Sequence, residues 1–135
     1  MLIALYLMLL HFIGDFVCQT NAMALGKSKK WGALLSHVAT YTAIIYIGVG
    51  FNWTFAAITF VAHFATDAVT SRINSKLWFI ELGEQYDTGR RDGVYFKKYH
   101  ANVFPNRRHL FFVSIGADQL LHAAQLFLTA HWLGL

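Results

Sequence analysis

Three apolar stretches of this chain each carry one histidine and one aspartate four positions apart. The pairs are His11 with Asp15, His63 with Asp67 and, in the reverse order, Asp118 with His122. Side chains four positions apart lie on the same face of a helix, so each pair makes a polar patch on an otherwise apolar helix. An ionised group in an apolar environment is costly unless it meets a partner. The pattern therefore predicts helices that converge on one internal polar site.

The composition indicates that these helices lie in a membrane. Of the 135 residues, 56% are hydrophobic and only 13% are charged, whereas about 25% are charged in an average soluble protein. The N-terminal stretch has no basic start and no small-residue cleavage site, so we interpret it as a retained first span rather than a signal peptide. The single cysteine, Cys18, excludes an internal disulfide and is interpreted as a small apolar filler.

The apolar stretches predict an all-α fold, a bundle of four transmembrane helices. Each stretch is close to the roughly 20 residues that cross a bilayer. The predicted spans are about 2–22, 32–51, 53–71 and 109–135, within one integral membrane domain that covers 1–135. A loop at about 72–108 connects the third span to the fourth. We interpret it as a solvated loop with aromatic anchors, the alternative being a flap over the site that engages lipid headgroups.

The basic residues lie mainly in the two connections that four spans place on the same side of the membrane. The positive-inside rule makes that side cytoplasmic. We therefore expect a multi-pass protein of the bacterial inner membrane with both termini outside. Because topology explains the net charge of +4, we expect the lipid bilayer and no nucleic acid as a partner. A homo-oligomer and a membrane-protein partner both stay open.

Counting inward from the cytoplasmic ends places the His/Asp pairs in one layer, roughly 7 to 20 Å deep. In all three pairs the aspartate is nearer the cytoplasm and the histidine is deeper. The order of the two residues reverses where the helix direction reverses, which favours one shared site. The spans themselves carry no basic side chain. The carboxylates therefore require protonation, hydrogen bonds from histidine or a bound metal ion.

The residue types predict a divalent metal centre. Neutral imidazole and carboxylate are standard ligands for zinc, manganese and iron, and zinc is the first choice here. The spacing is also the device that places two ligands in a His-x-x-x-His zinc motif. The candidate ligands are His11, Asp15, His37, His63, Asp67, Asp118 and His122. These seven candidates are more than the four ligands of a tetrahedral site. The site could hold two metal ions, or one metal ion with some aspartates as hydrogen-bond partners of the ligands and as the general base.

A hydrolytic metal would act on a membrane lipid or a phosphoester, with an unligated aspartate as the proton acceptor. The candidate catalytic residues are Asp15, Asp67 and Asp118, and the candidate substrate-binding residues are Gln19, Tyr41, Arg107 and Arg108. Packing explains Gln19 as well as substrate contact does. Packing or an interfacial position explains Tyr41 more simply, and topology explains the two arginines more simply. Gln119 points to a different face from Asp118 and stays ambiguous.

Two other functions use the same residue types. A small transporter or a proton or ion channel would use the polar set as transient binding stops. A non-enzymatic membrane interaction protein, such as a phage factor acting on a host membrane protein, would use it as hydrogen-bonding glue between helices, at about 0.6 kcal/mol for each contact.

Four blocks of sequence carry a family resemblance. They are His-Phe-Ile-Gly-Asp-Phe-Val-Cys-Gln at 11–19 followed by Lys27, Ser-His-Val-Ala-Thr-Tyr at 36–41, His-Phe-Ala-Thr-Asp at 63–67 and Asp-Gln-Leu-Leu-His at 118–122. With them the chain resembles the domain of unknown function 3307 family of small bacterial and phage membrane proteins. The resemblance implies no agreed activity. The chain is also similar to metal-dependent hydrolases of the inner membrane in having His and Asp residues in short apolar helices, an analogy that does not transfer a reaction. Ser71 and Arg72 depart from the lysine that the family often carries after the third block.

Overall fold

The computed structural model describes residues 2–81, 87–91, 94–98 and 107–135, and within them the side chains outside 78–108. The helices are α1 (Leu2–Phe12), α2 (Asn21–Gly26), α3 (Trp31–Gly48), α4 (Trp53–Glu81) and α5 (Arg107–Trp132), and a π-helical turn (Ile13–Val17) extends α1. Strands β1 (Asp87–Arg91) and β2 (Val94–Lys98) form an antiparallel hairpin in which Asp87 lies opposite Lys98. The predicted helical architecture is confirmed, with this hairpin as the one addition in the described residues.

The first predicted span is not one continuous helix. The π-helical turn closes with a hydrogen bond from the Cys18 N–H to the Ile13 carbonyl at 2.9 Å. The chain then leaves helical geometry, and Thr20 begins α2 by accepting a hydrogen bond from the Met23 N–H on its side-chain oxygen, at 3.3 Å. A helix that starts afresh at Asn21 turns the following lysines back toward the bundle. Cys18 is exposed on the surface of the bundle.

Gly14 allows the π-helical turn to lie directly against α3. A Cβ at this position would be 2.8 Å from Tyr41 Cδ2, which is closer than real Cβ contacts. A glycine is therefore required where Asp15 enters the centre of the bundle.

A tight turn joins α3 to α4, as the uncharged Gly-Val-Gly sequence predicts. Gly50 and Phe51 both have positive φ, at 71° and 63°. Asn52 Oδ1 then accepts a hydrogen bond from the Phe55 N–H at 2.9 Å, which caps the start of α4. Helix α4 continues to Glu81, ten residues beyond the predicted end at Ser71, so the start of the predicted loop is helix.

The predicted flap can be followed only in part. Leu77 to Ile80 belong to the backbone of α4, and Val94 to Phe96 belong to β2. The side chains of 78–108 lie outside the described residues, so neither the aromatic anchors nor a contact with headgroups is tested.

Among the described helices, α5 is the one that is long and apolar enough to cross a membrane, over His109–Trp132. Leu2–Val17 is apolar but shorter. Helix length and composition therefore do not support the predicted four spans, because the break before α2 shortens the first, and polar residues reduce the apolar character of the second and third.

Candidate metal centre

The four long helical segments bring all seven candidate ligands into one buried cluster. The π-helical turn and the end of α1 supply Asp15 and His11, α3 supplies His37, α4 supplies His63 and Asp67, and α5 supplies Asp118 and His122. Every one of them is buried, and the side chains of His37, His63 and His122 are completely so. The convergence expected from the sequence pattern is thus present in the fold.

Four ligand atoms form the most compact part of this cluster, and we call them the four-atom group: His37 Nε2, His63 Nε2, Asp15 Oδ1 and Asp67 Oδ2. His37 Nε2 lies 3.0 Å from the Asp15 oxygen, 3.2 Å from the Asp67 oxygen and 3.2 Å from His63 Nε2. His63 Nε2 lies 3.9 Å from the Asp15 oxygen and 3.7 Å from the Asp67 oxygen. Ligands about 2.1 Å from a tetrahedral metal ion are separated by about 3.4 Å. The five measured separations bracket that value.

Asp15 Oδ1 accepts no hydrogen bond within the described residues, although it is buried and close to two imidazole nitrogens. The other carboxylate oxygen, Oδ2, accepts a hydrogen bond from Gln119 Nε2 at 3.1 Å. An unsatisfied buried carboxylate oxygen is destabilising. A cation bound between Asp15 and His37 would satisfy it, so this atom fits a metal ligand.

Two groups of three candidate ligands overlap within this cluster and share His63. Asp15, His37 and His63 offer three ligand atoms within 4.8 Å of one another, and so do His63, Asp67 and His122. His122 Nε2 lies 3.2 Å from Asp67 Oδ1 and 3.4 Å from Asp118 Oδ1. His122 therefore connects a carboxylate of the four-atom group to the carboxylate outside it.

His11 differs from the other three histidines because both of its ring nitrogens are engaged. Nδ1 hydrogen-bonds the Tyr41 hydroxyl at 3.0 Å, and Nε2 hydrogen-bonds Gln119 Oε1 at 2.8 Å. By contrast, Nδ1 of His37, His63 and His122 has no hydrogen-bond partner among the described residues. This arrangement suits His11 to orienting its neighbours better than to binding a metal ion.

Gln119 is the residue whose importance the sequence reading missed. Its amide nitrogen donates to Asp15 Oδ2 and, at 3.2 Å, to Asp118 Oδ2, while its amide oxygen contacts His11. From the sequence, Gln119 was judged only by its position next to Asp118. Because adjacent residues of a helix point to different faces, Gln119 was not assigned to the face that carries the site. The three-residue spacing to His122 is the signal that places Gln119 on the buried face.

Lys27 corrects the expectation that the carboxylates have no basic partner. Its ammonium donates a hydrogen bond to Asp67 Oδ2 at 3.0 Å, and only 17% of its side chain is exposed. The break after the π-helical turn allows this contact, because α2 changes the direction of the chain and places Lys27 next to α4. Three aspartates and one lysine leave a formal charge of −2 when the histidines are neutral.

A column of stacked rings fixes the orientation of the central imidazole. The Tyr41 and His63 rings stack with centroids 3.9 Å apart, and the His63 and His122 rings stack with centroids 4.1 Å apart. Tyr41 thus packs on one histidine and hydrogen-bonds another, which makes it a positioning residue.

The other candidate substrate-binding residues lie away from the four-atom group or outside the described side chains. Gln19 follows the π-helical turn, is partly buried, and has a side-chain oxygen without a described partner. Arg107 and Arg108 begin α5, and their side chains are not among those described.

Comparison with known proteins gives a family and no activity. The chain belongs to the family described as protein of unknown function (DUF3307), whose family model matches residues 3–134. The resemblance drawn from the four sequence blocks is therefore confirmed. No curated protein and no solved structure matches the chain.

Proposed function

We propose that this member of the DUF3307 family is a membrane-embedded hydrolase that binds one divalent cation, zinc in the first place, through Asp15, His37, His63 and Asp67. Its substrate is an ester or phosphoester of a membrane lipid. The observation that carries the proposal is the four-atom group from three chain segments, in which two imidazole nitrogens lie 3.2 Å from each other and 3.0 to 3.9 Å from the two carboxylate oxygens.

One ion is favoured over two because the two overlapping groups of ligands share His63. A neutral imidazole offers a metal one lone pair, on the nitrogen that carries no proton, so one neutral His63 side chain cannot serve two ions. His122 then orients Asp67 through the other carboxylate oxygen, Oδ1, which lies 3.2 Å from His122 Nε2. Contacts of this kind keep ligating carboxylates in place in known metal sites.

The charge of the cluster supports a divalent cation. With neutral histidines, which metal binding requires, the site carries a formal charge of −2, and a buried charge of that size is strongly destabilising without compensation. Lys27 compensates only one of the three carboxylates. A doubly charged ion at the four-atom group would neutralise the rest.

The distribution of apolar side chains supports a membrane location for the bundle. Large hydrophobic side chains are exposed on all four long helices, while histidines and aspartates are among the buried residues. Examples are Leu5 and Leu9 on α1, Leu35 and Ile47 on α3, Val61 and Val69 on α4, and Phe112, Leu120 and Leu128 on α5. Soluble monomers rarely expose apolar patches of this extent. In the proposed topology the bundle spans the bacterial inner membrane four times, with both termini outside.

Exposed tryptophans at helix ends support the same placement. Trp31 begins α3, Trp53 begins α4 and Trp132 ends α5, and each is more than half exposed. Tryptophan is enriched where a helix passes from hydrocarbon to headgroups. These ends are where the proposed topology puts the two membrane interfaces.

The chemistry divides between the cation and the residues around it. A bound divalent ion supplies Lewis-acid activation of water and of the scissile bond. Asp118, the aspartate outside the four-atom group, acts as the proton acceptor, with His122 beside it. Thr70 and Gln119 donate hydrogen bonds to the two oxygens of Asp118 and fix its position. Lys27 contributes a positive charge near the negative charge that develops during hydrolysis.

Metal content per chain tests the proposal directly. Elemental mass spectrometry of detergent-purified protein is expected to give about one tightly held ion, since a closed four-ligand set binds one metal. The Asp15→Asn and His63→Ala variants are expected to lose it. His131→Ala, an exposed histidine on the same helix as His122, is the matched control and keeps it. A wild-type protein that stays empty after reconstitution with zinc, manganese and iron would overturn the proposal.

Hydrolysis is tested with Asp118→Asn, which leaves the four-atom group intact. This variant is expected to keep its metal and to lose roughly 10²- to 10⁴-fold in lipid or phosphoester hydrolysis, the usual contribution of a general base. If the wild-type protein holds metal, cleaves no ester or phosphoester and instead supports ion flux in liposomes, the transporter alternative replaces the hydrolase.

The proposed topology is tested by two cysteine substitutions at opposite ends of α3, Lys30→Cys and Phe51→Cys, each in a Cys18→Ser background. Both positions are exposed. A membrane-impermeant maleimide is expected to label the Phe51→Cys variant in spheroplasts and the Lys30→Cys variant only in inverted vesicles. Labelling of both variants from the same side would contradict a spanning α3.

A further inference from the structure

A cavity of about 550 Å³ lies beside the candidate metal centre, between the turn that follows α2 and the second half of α4. Its polar wall comes from Lys27, Ser28 and Lys29 on one side and from Ser71, Asn74 and Ser75 on the other. Its apolar wall includes Leu25 and, from the start of α5, Phe111. No acidic side chain lines it within the described residues. The cavity therefore combines positive charge and hydrogen-bond donors with an apolar surface.

The cavity and the metal centre share both a residue and a helix face. Lys27 lines the cavity while its ammonium donates to Asp67 Oδ2 at 3.0 Å. Ser71 lies one helical turn beyond Asp67 on the same face of α4, and Ser75 lies one turn further. A ligand in the cavity would consequently lie next to the carboxylate proposed to bind the cation.

Ser71 supplies an unused hydrogen-bonding group at this place. Its residue is only 7% exposed, it lines the cavity, and its hydroxyl has no hydrogen-bond partner within the described residues. A buried hydroxyl without a partner is costly. An oxygen-rich anion in the cavity would accept a hydrogen bond from it.

We propose that this cavity binds the phosphate group of an anionic membrane lipid, with the glycerol and acyl portion against the apolar wall. Lysine side chains and hydroxyl donors suit a phosphate, and Leu25 and Phe111 suit the first carbons of the lipid. As a binding site, the cavity stands on its own residues. As the place that presents a substrate to the cation, it rests on the proposed function.

The arrangement also identifies which side chains recognise the headgroup. Lys27 keeps one donor on Asp67 and has two more N–H groups for a second acceptor. Lys29 and Ser71 line the cavity and are not among the candidate metal ligands, so their substitution separates headgroup binding from metal binding.

Native mass spectrometry of the detergent-purified protein tests the proposal, with phosphatidic acid, phosphatidylcholine, diacylglycerol and inorganic phosphate as probes. Phosphatidic acid is expected to bind at least about tenfold more tightly than diacylglycerol, the effect of a charge-assisted hydrogen bond. Lys29→Gln and Ser71→Ala are expected to remove most of that difference. Lys30→Gln, the exposed neighbour that does not line the cavity, is the matched control and leaves it unchanged.

Equal binding of phosphatidic acid and diacylglycerol would overturn the proposal, as would an equal loss in Lys30→Gln. Inorganic phosphate that binds as tightly as phosphatidic acid would overturn the lipid part and identify free phosphate as the ligand. The metal-binding variant His63→Ala keeps the two proposals apart. If it loses metal and still prefers phosphatidic acid, the headgroup site stands whatever reaction the centre performs. If wild-type protein holds metal but shows no such preference, the headgroup site fails and the metal centre stands.

Discussion

The two ends of the helical bundle are built from the same four buried stripes and differ only in residue type. Three of the stripes are Leu7, His11 and Asp15, then His37, Tyr41 and Ile45, then Asp118, His122, Leu126 and Ala130. The fourth, on α4, runs through Phe55, Thr59, His63, Asp67 and Ser71. Each advances by four residues and passes from apolar side chains at one end to ionisable ones at the other. One backbone framework thus holds a closed apolar core and a polar centre.

The difference teaches how each end is completed. The apolar end is closed by its own side chains, with Leu7, Ile45, Phe55 and Leu126 in one cluster. The polar end contains buried atoms, such as Asp15 Oδ1, that no described side chain satisfies. Stability at the first end comes from packing, whereas under the proposed function stability at the second end depends on the bound cation.

Metal removal should have the largest effect, and only through the polar end. A ligand present at about 1,000 times its Kd stabilises the folded state by about 4 kcal/mol. Chelation of the metal-loaded wild-type protein is therefore expected to lower the free energy of unfolding by about that amount. The measurement is denaturant unfolding in detergent, with and without chelator. His37→Ala should show no further loss on chelation, and an equal loss there would mean that the chelator acts elsewhere.

A cavity in the apolar end should destabilise the protein without changing its metal content. Leu126 is fully buried in the cluster, and a buried Leu→Ala substitution costs about 2 to 5 kcal/mol. We expect Leu126→Ala to unfold correspondingly earlier while still holding its ion by elemental mass spectrometry. Leu128→Ala on the same helix is the control, because Leu128 is exposed. Metal loss in Leu126→Ala would show that the two ends are not separable.

Gly14→Ala should affect the junction between the two ends. The added methyl would meet Tyr41 Cδ2 at 2.8 Å, and overpacking of this kind costs about 1 to 3 kcal/mol. We expect the shifted Tyr41 ring to weaken metal affinity as well as fold stability, since that ring packs on His63. Gly116→Ala, where an added Cβ has open space, is the matched control. A metal affinity unchanged in Gly14→Ala would contradict the positioning role of Tyr41.

Gln119→Ala should have the smallest effect and should appear mainly in metal affinity. Gln119 contacts His11 and Asp15 but contributes no atom to the four-atom group. Loss of such an orienting contact typically costs 10- to 100-fold in metal affinity, and we expect about the lower value here. Competition with a fluorescent chelator measures it. Gln125→Ala, whose amide hydrogen-bonds Thr59 and Thr129, is the control on the same helix.

Helical period was sufficient to predict that each histidine and aspartate of a pair share one face of a helix, and these faces meet in the fold. His11 with Asp15 and Asp118 with His122 needed no tertiary information. The role of Lys27 could be recognised only in the tertiary structure. Its contact with Asp67 depends on a break in the helix at Cys18 to Thr20, and no proline in the sequence marks that break. The sequence also did not predict that α4 extends beyond Ser71. A polar stretch such as Arg72 to Lys76 forms a helix or a loop according to what packs against it, and local propensity does not decide between them.

The stacked rings of Tyr41, His63 and His122 fix the rotation of α3, α4 and α5 about their axes relative to one another. Turning any one of these helices about its axis would separate at least one pair of rings, and each aromatic pair contributes about 0.5 to 1.5 kcal/mol beyond its buried area. Gating by helix rotation would therefore work against this column at every cycle. A catalyst gains from the same feature, because a ligand nitrogen held at a fixed angle need not be reoriented when the ion or the substrate arrives.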